Sequence, residues 1–417
     1  MNRLNQFNKQ FENQETAELE HVAQAPVDAI LGLSIGFKAD KNPNKVNLGV
    51  GAYRTEEGKP LVFPVVRAAE KRITENHTLD KEYLPIDGDQ LFNTGARQVL
   101  FGWNHPDVKS GRVASSQTLS GTGALRVIGD FLFKFRPAPI YVSAPTWGNH
   151  NAVFAKTGLN VRTYRYFDKK TRGLDFDGMI ADLKNATPGS TVLLHTCAHN
   201  PTGVDPTLDQ WKQIYQVVRQ NNLYPFFDTA YQGFVSGNLD KDGEGLRYFL
   251  NQGAEMCIAQ SFAKVMGLYG ERTGALHFVC ANKEIAGRVL SQLKIVVRTN
   301  YSSPPKHGAR IAGLILSDLK FRQQWLDELV AVTDRMNAMR KALRAELERI
   351  GAKGQWDHIT TQIGMFSFTG LTNKQSKAMV SKHSIYMTAN GRISVAGLTT
   401  KNIPYVAAAI KDVTDNL

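Results

Sequence analysis

Short apolar runs alternating with amphipathic helical stretches restrict the fold more than any other feature of this chain. Thr191-Val192-Leu193-Leu194-His195-Thr196 has an unbroken apolar centre and reads as a buried strand. The turn His199-Asn200-Pro201-Thr202-Gly203 follows it. Thr207-Leu208-Asp209-Gln210 then has the form of a capping box, opening a helix that turns Trp211, Ile214, Tyr215 and Val218 inward. Tyr224 to Phe227 is the next strand and ends at Asp228. Strand, helix and strand in this order imply right-handed βαβ units, hence an α/β fold with a mostly parallel sheet flanked by helices. Such sheets place ligands at the carboxyl ends of their strands, so the polar residues found there become the candidates.

The remaining chain fits around that unit. Residues 1–25 are polar and read as an exposed arm. Ala29 to Leu33 begins packed structure, and Val46 to Gly51 reads as a strand ending in a glycine-permitted bend. Val65, Ala68, Ala69 and Ile73 give a helical spacing after Pro64; Tyr83 falls in a loop, and 91–101 is helical again. Ser120-Gly121-Thr122-Gly123 opens another helix, whose first N–H groups suit either an anion or a plain N-cap. Pro139 to Val142 is a strand leading to Trp147. Leu326, Leu329, Val330, Met336, Met339, Leu343 and Leu347 mark a long helix closed by Gly351. Met365 to Phe368 and Arg392 to Val395 alternate like strands of a second, smaller α+β unit. The expected division is an arm (1–25), a large domain (61–329) and a small domain made from both chain ends (26–60 with 330–417).

At 417 residues the chain can bury two cores, and 42% apolar with 21% charged residues is an ordinary globular balance. No apolar stretch reaches membrane-spanning length, so no membrane partner is expected. The start mixes Arg3 and Lys9 with Glu12, Glu15, Glu18 and Glu20. Transit peptides are poor in acids, so a cytoplasmic protein is expected, with mitochondria left open by the basic charge. The net charge of +12 comes from scattered residues, the densest group being Lys169-Lys170-Thr171-Arg172. That pattern favours small anionic substrates over nucleic acid. Cys197, Cys257 and Cys280 lie in apolar runs without CxxC spacing and read as buried, reduced thiols; no metal site is expected.

One stretch carries distinctive chemistry. Ser261 to Gly274 separates two apolar runs, Met256 to Ala259 and Ala275 to Val279, that both read as buried strands. Lys264 therefore sits on a turn at a strand end. Desolvation and nearby cations lower a lysine's pKa and free its amine as a nucleophile. Ser261 and Arg272 beside it suit a phosphate.

Ser120-Gly121-Thr122, Asn200-Pro201-Thr202-Gly203, Asp228-Thr229-Ala230-Tyr231 and Ser261 to Arg272, in this order, resemble the fold type I pyridoxal-phosphate aminotransferases. Within them the chain is most similar to the aspartate aminotransferase family, from about Pro26 to Thr399. The resemblance implies that Lys264 carries pyridoxal 5'-phosphate covalently and moves the substrate proton. It implies that Asp228 pairs with the pyridine nitrogen. It further implies that Tyr231 and Asn200 bond the cofactor's phenolic oxygen, and that Trp147 covers the ring. Ser120, Gly121, Thr122, Ser261 and Arg272 would hold the phosphate, with Tyr83 reaching it from a partner subunit. Arg392, helped by Asn200 and the backbone at Gly51, would grip the α-carboxylate, and Arg298 from the partner the distal one. Phe366 would lie beside the substrate and His150 one layer further out. The implied enzyme is a homodimer with shared active sites. Its implied reaction is ping-pong transamination between L-aspartate and 2-oxoglutarate, giving oxaloacetate and L-glutamate; a broader enzyme that also takes aromatic amino acids is the alternative. The chain departs from the family after Lys264, where Val265-Met266 replaces the usual Asn-Phe; these side chains are expected to pack beside the lysine strand.

Overall fold

A computed structural model describes residues 18–26 and 31–417. Most of the expected arm, and the start of the packed structure at Ala29 and Ile30, lie outside the described residues. Residues 18–26 are exposed.

The centre is a seven-stranded sheet. Its strands are β1 (Val113–Leu119), β2 (Ile140–Ala144), β3 (Val161–Arg165), β4 (Thr191–His195), β5 (Tyr224–Thr229), β6 (Met256–Ser261) and β7 (Thr273–Val279). They lie side by side in the order β1-β7-β6-β5-β4-β2-β3. The run from β6 through β3 is parallel, as the βαβ pattern predicts. β7 is antiparallel to both its neighbours. Its apolar sequence matches that of a parallel strand, so its direction is a finding of the structure. The connection is short: eleven residues, 262–272, join the two strands, fewer than the dozen or more that a parallel crossover requires.

Period-two alternation along the strands feeds two apolar layers. Leu193, Phe226 and Cys257 point to one layer, with Leu125, Ile128 and Phe154. Leu194, Phe227 and Ile258 point to the other, with Trp211, Ile214 and Phe249. The Thr207 capping box is formed as expected, with Thr207 Oγ1 accepting from the Gln210 N–H and the Gln210 side chain returning a bond.

Segments far apart in the chain pair outside this sheet. Val46–Asn47 pairs in parallel with Ile385–Tyr386, and Phe366–Phe368 pairs antiparallel with Arg392–Ser394. The long helix, Leu319–Arg349, is capped by Asp318 and closed by Gly351 at φ +65°. One apolar cluster runs from Phe262 and Met266, through Leu329 and Leu343 of this helix, to Ile393 and Val406. No described helix is long and apolar enough to cross a membrane.

Candidate active site

The carboxyl ends of β4, β5 and β6 lie near Gly49 and Arg392, which the Asn200 side chain joins to the turn after β4. Register places His195 of β4 beside Asp228 of β5, which in turn lies beside Ala259 of β6. Asp228 Oδ2 lies 3.0 Å from Nε2 of fully buried His150. A carboxylate only accepts, so this nitrogen carries the proton and donates. His150 Nδ1 then accepts from the Thr146 hydroxyl at 2.7 Å. His195 accepts the Asn200 N–H on Nδ1 (3.2 Å) and points Nε2 at Thr146 Oγ1 (3.4 Å). The result is a directed chain from the Asn200 backbone to the Asp228 carboxylate. Burial pulls the His195 ring down to about 3, helped by His150, so it remains neutral. Burial alone would raise the Asp228 carboxyl; the hydrogen bond donated by His150, with Lys264 nearby, outweighs it and holds the group below its ordinary value.

Lys264 follows β6 on the tight turn that leads to β7. Its Nζ stands 5.2 Å from the centre of the Tyr231 ring. Burial pushes the ammonium below the ordinary lysine value and the cations of Arg272 and Arg392 add to this, while Asp228 opposes them. The turn is held from behind. Val265 and Met266 are buried in the apolar cluster, and the Val265 carbonyl accepts from Trp325 Nε1 at 2.7 Å. The two departures from the family pattern therefore sit beneath the lysine, as expected, and face away from the polar site. Tyr231 is buried, which raises its hydroxyl; Arg392 and the Asn200 side chain pull the other way.

Ser120 and Ser261 meet at 2.9 Å between their hydroxyls. Ser120 has φ +59° and opens the Ser120–Phe135 helix, which has no side-chain cap. Its first N–H groups include those of Gly121 and Thr122. A Cβ on Gly121 would come within 3.2 Å of Ser261 Cβ, so glycine permits the approach. Arg272, exposed at the other end of the lysine turn, donates to the Tyr269 carbonyl.

Arg392 is 4% exposed, and its positive charge has no carboxylate partner among the described residues. Nη1 donates to Asn200 Oδ1 at 3.3 Å and Nη2 to the Gly49 carbonyl at 2.8 Å, while Nε finds no acceptor. Phe366 lies against the guanidinium, 4.3 Å from ring centre to Cζ. Gly51 lies in the same corner: a Cβ there would come within 2.9 Å of the Phe366 ring. Trp147 is half-buried and edge-on to His150.

Two expected residues stand outside this assembly. Tyr83 is 84% exposed, and Arg298 is at the surface, where it donates to Ser302. Three others were not singled out from sequence. His195 and His199 stack at 4.2 Å, and His199 binds Ser143 and Thr202. Asp205 accepts the N–H groups of Ala198 and His199, fixing the turn that carries Asn200. An aspartate two residues past Gly203 was the available signal for that last role. The three cysteines are buried and unpaired.

A family model described as aminotransferase class I and II matches residues 43–410. The chain belongs to that family. An aspartate aminotransferase of Oryza sativa subsp. japonica, named as cytoplasmic, is 54% identical over 93% of this chain and 96% of its own length. A chloroplastic aspartate aminotransferase of Arabidopsis thaliana is 53% identical over 94% of this chain and 87% of its own. Among solved structures, an aromatic-amino-acid aminotransferase from Burkholderia pseudomallei, covalently bound to pyridoxal phosphate, superposes with a TM-score of 0.92. It is 44% identical and covers 95% of this chain, which spans all of it. This aminotransferase is a pyridoxal phosphate-dependent enzyme. Its residues fit the cofactor: an uncapped helix start with two hydroxyls and an arginine for a phosphate, and a buried ionised carboxylate suited to a pyridinium.

Proposed function

We propose that this aminotransferase exchanges the amino group between L-aspartate and 2-oxoglutarate, giving oxaloacetate and L-glutamate. The observation that carries this reading is Arg392, a buried guanidinium with a neutral amide, a backbone carbonyl and an aromatic face around it, and no counter-ion among the described residues. Such a cation calls for a carboxylate that arrives with the substrate. The names of the curated relatives at 52–54% identity support aspartate as the donor.

When bound, pyridoxal phosphate supplies an aldehyde that takes the amino group and a ring that stores the electron pair left at the substrate Cα. Ser120, Gly121, Thr122, Ser261 and Arg272 would hold its phosphate, Asp228 its ring nitrogen, Tyr231 and Asn200 its phenolic oxygen, and Trp147 its face. Lys264 has the lowered pKa needed to present a free amine as nucleophile and then to accept and return the Cα proton. Arg392 fixes the α-carboxylate, and Asn200 ties that grip to the cofactor side of the pocket.

A homodimer belongs to the same proposal. Tyr83 and Arg298 lie at the surface, apart from the site residues described above, and exposed Leu79 and Ile295 give the surface around them apolar area. Tyr83 would reach a neighbour's phosphate and Arg298 a neighbour's distal carboxylate. The division into a large domain (61–329) and a small one (26–60 with 330–417) is likewise proposed, as is a cytoplasmic location, supported by the rice relative's name.

The test is borohydride reduction of the cofactor-loaded enzyme, peptide mapping, and a panel of amino donors. We expect the reduced label on Lys264, and aspartate with 2-oxoglutarate as the fastest pair. Arg298→Asp should lose activity on dicarboxylates far more than on phenylalanine or tyrosine. Label elsewhere would overturn the role of Lys264. Equal turnover of tyrosine and aspartate would favour the broader specificity suggested by the aromatic-amino-acid relative.

A further inference from the structure

Arg340, on the long helix, is 2% exposed and has no carboxylate partner among the described residues. Three backbone carbonyls surround it. Nη1 donates to Ile359 O at 2.8 Å, and Nη2 to Gly364 O at 2.9 Å and Phe366 O at 2.6 Å. Burial pulls the guanidinium down to about 9, the direction expected for a cation stripped of water and given only neutral acceptors. A buried charge of this kind is costly and needs its hydrogen bonds to persist.

Those bonds converge on one short segment. It is held from a second side by Ile363 N–H, which donates to the Gly203 carbonyl at 2.7 Å. Gly203 has φ +66°, and a Cβ there would come within 2.9 Å of both Ile363 O and Phe366 O. The segment is therefore clamped between the Asn200–Gly203 turn and the long helix. Its product is the placement of one ring. Phe366 lies on Arg392 at 4.3 Å, fills the space beside Gly51 and meets Tyr231 edge-on at 6.1 Å.

We propose that Arg340 is a positioning residue for substrate binding: by holding the carbonyls of Ile359, Gly364 and Phe366 it fixes the Phe366 ring as the wall from which Arg392 meets the substrate carboxylate. The proposal rests on the role given above to Arg392. It deepens that role by naming the residue behind it, one that touches neither substrate nor cofactor.

The test uses cofactor-loaded Arg340→Lys and Arg340→Met enzymes. Lysine keeps the charge and can satisfy some of the three carbonyls; methionine satisfies none. Both substrates share the α-carboxylate, so KM for the amino donor and for 2-oxoglutarate should rise together. We expect a rise of about tenfold or more for Arg340→Met and a smaller one for Arg340→Lys, with kcat within about threefold. The cofactor's visible band and its pH midpoint should not move. Combined with Phe366→Leu, Arg340→Lys should add little to the KM effect of the single Phe366 change. Independent, multiplying effects, or a joint fall of kcat and cofactor retention at unchanged KM, would overturn the proposal. If Arg340→Met does not fold, the lysine cycle decides alone. Absence of transamination in the unsubstituted enzyme would sink the earlier reading instead. In that case the fluorine resonance of fluorophenylalanine at position 366 still reports whether Arg340→Lys frees the ring, and an unmoved resonance would count against the tie.

Discussion

His150 and Asp228 are joined by a hydrogen bond of 3.0 Å from Nε2 to Oδ2, although 78 residues separate them in the chain. The proton on that nitrogen is fixed by the Thr146 hydroxyl at the far side of the ring. Asp228 thus receives a donor whose tautomer is already chosen, and its negative charge persists despite burial.

Replacing that charge while keeping its shape isolates its contribution. Asp228→Asn removes the carboxylate that would sit opposite a ring cation. We expect kcat to fall by about 10²–10³, the usual loss for one well-placed electrostatic group. KM should change much less, because Arg392 is untouched. Steady-state kinetics at saturating cofactor checks this, and a kcat within threefold of the unsubstituted enzyme would remove Asp228 from the chemistry.

Arg392→Lys keeps a cation but loses the planar fork. The lysine has no equivalent of the paired Nη1 and Nη2 contacts to Asn200 and Gly49. A charge-assisted hydrogen bond contributes about 1.5–3 kcal/mol, so KM for both substrates should rise about 10- to 100-fold. Measured KM values that change for one substrate only would show that the two carboxylates are gripped differently.

Acid should destabilise the fold through buried, neutral histidines. His277 lies between Ser115 and Gln260, and burial, with Arg97 nearby, pulls its ring down to about 3. The folded pKa is lower than the unfolded one, so His277 stabilises the fold fully above about pH 6.5. That contribution is lost as pH falls toward 3, because only the unfolded chain takes up the proton. His277→Gln should flatten the dependence of stability on pH by up to about 1.4 kcal/mol per pH unit in this window. Denaturant midpoints at pH 7, 6 and 5 for both proteins measure it, and parallel curves would falsify the assignment.

Much of the site was legible because its signals are local. Lys264 lies in a short segment between two apolar runs, Asp228 lies at the end of an apolar run, and the Thr207 cap is complete within four residues. Periodicity and capping depend on neighbours along the chain, and these expectations hold. The approach of His150 to Asp228, the hold of Arg340 on three carbonyls and the bond from Arg392 to Gly49 depend on which distant segments become neighbours. The same holds for the reversed direction of β7. Single residues such as His195 or Asp205 look ordinary until register and turns bring their partners within hydrogen-bond reach.

The sequence by itself determined the layered α/β plan, the lysine turn and the set of cations and acids available to it, because spacing and residue chemistry are written along the chain. Only the tertiary structure decided which of those groups lose water together, and therefore which are held charged, which neutral and which way each proton points. Burial and donor direction are properties of surroundings assembled from distant segments. Tyr83 and Arg298, by contrast, lie at the surface of the folded chain, apart from Lys264 and Arg392.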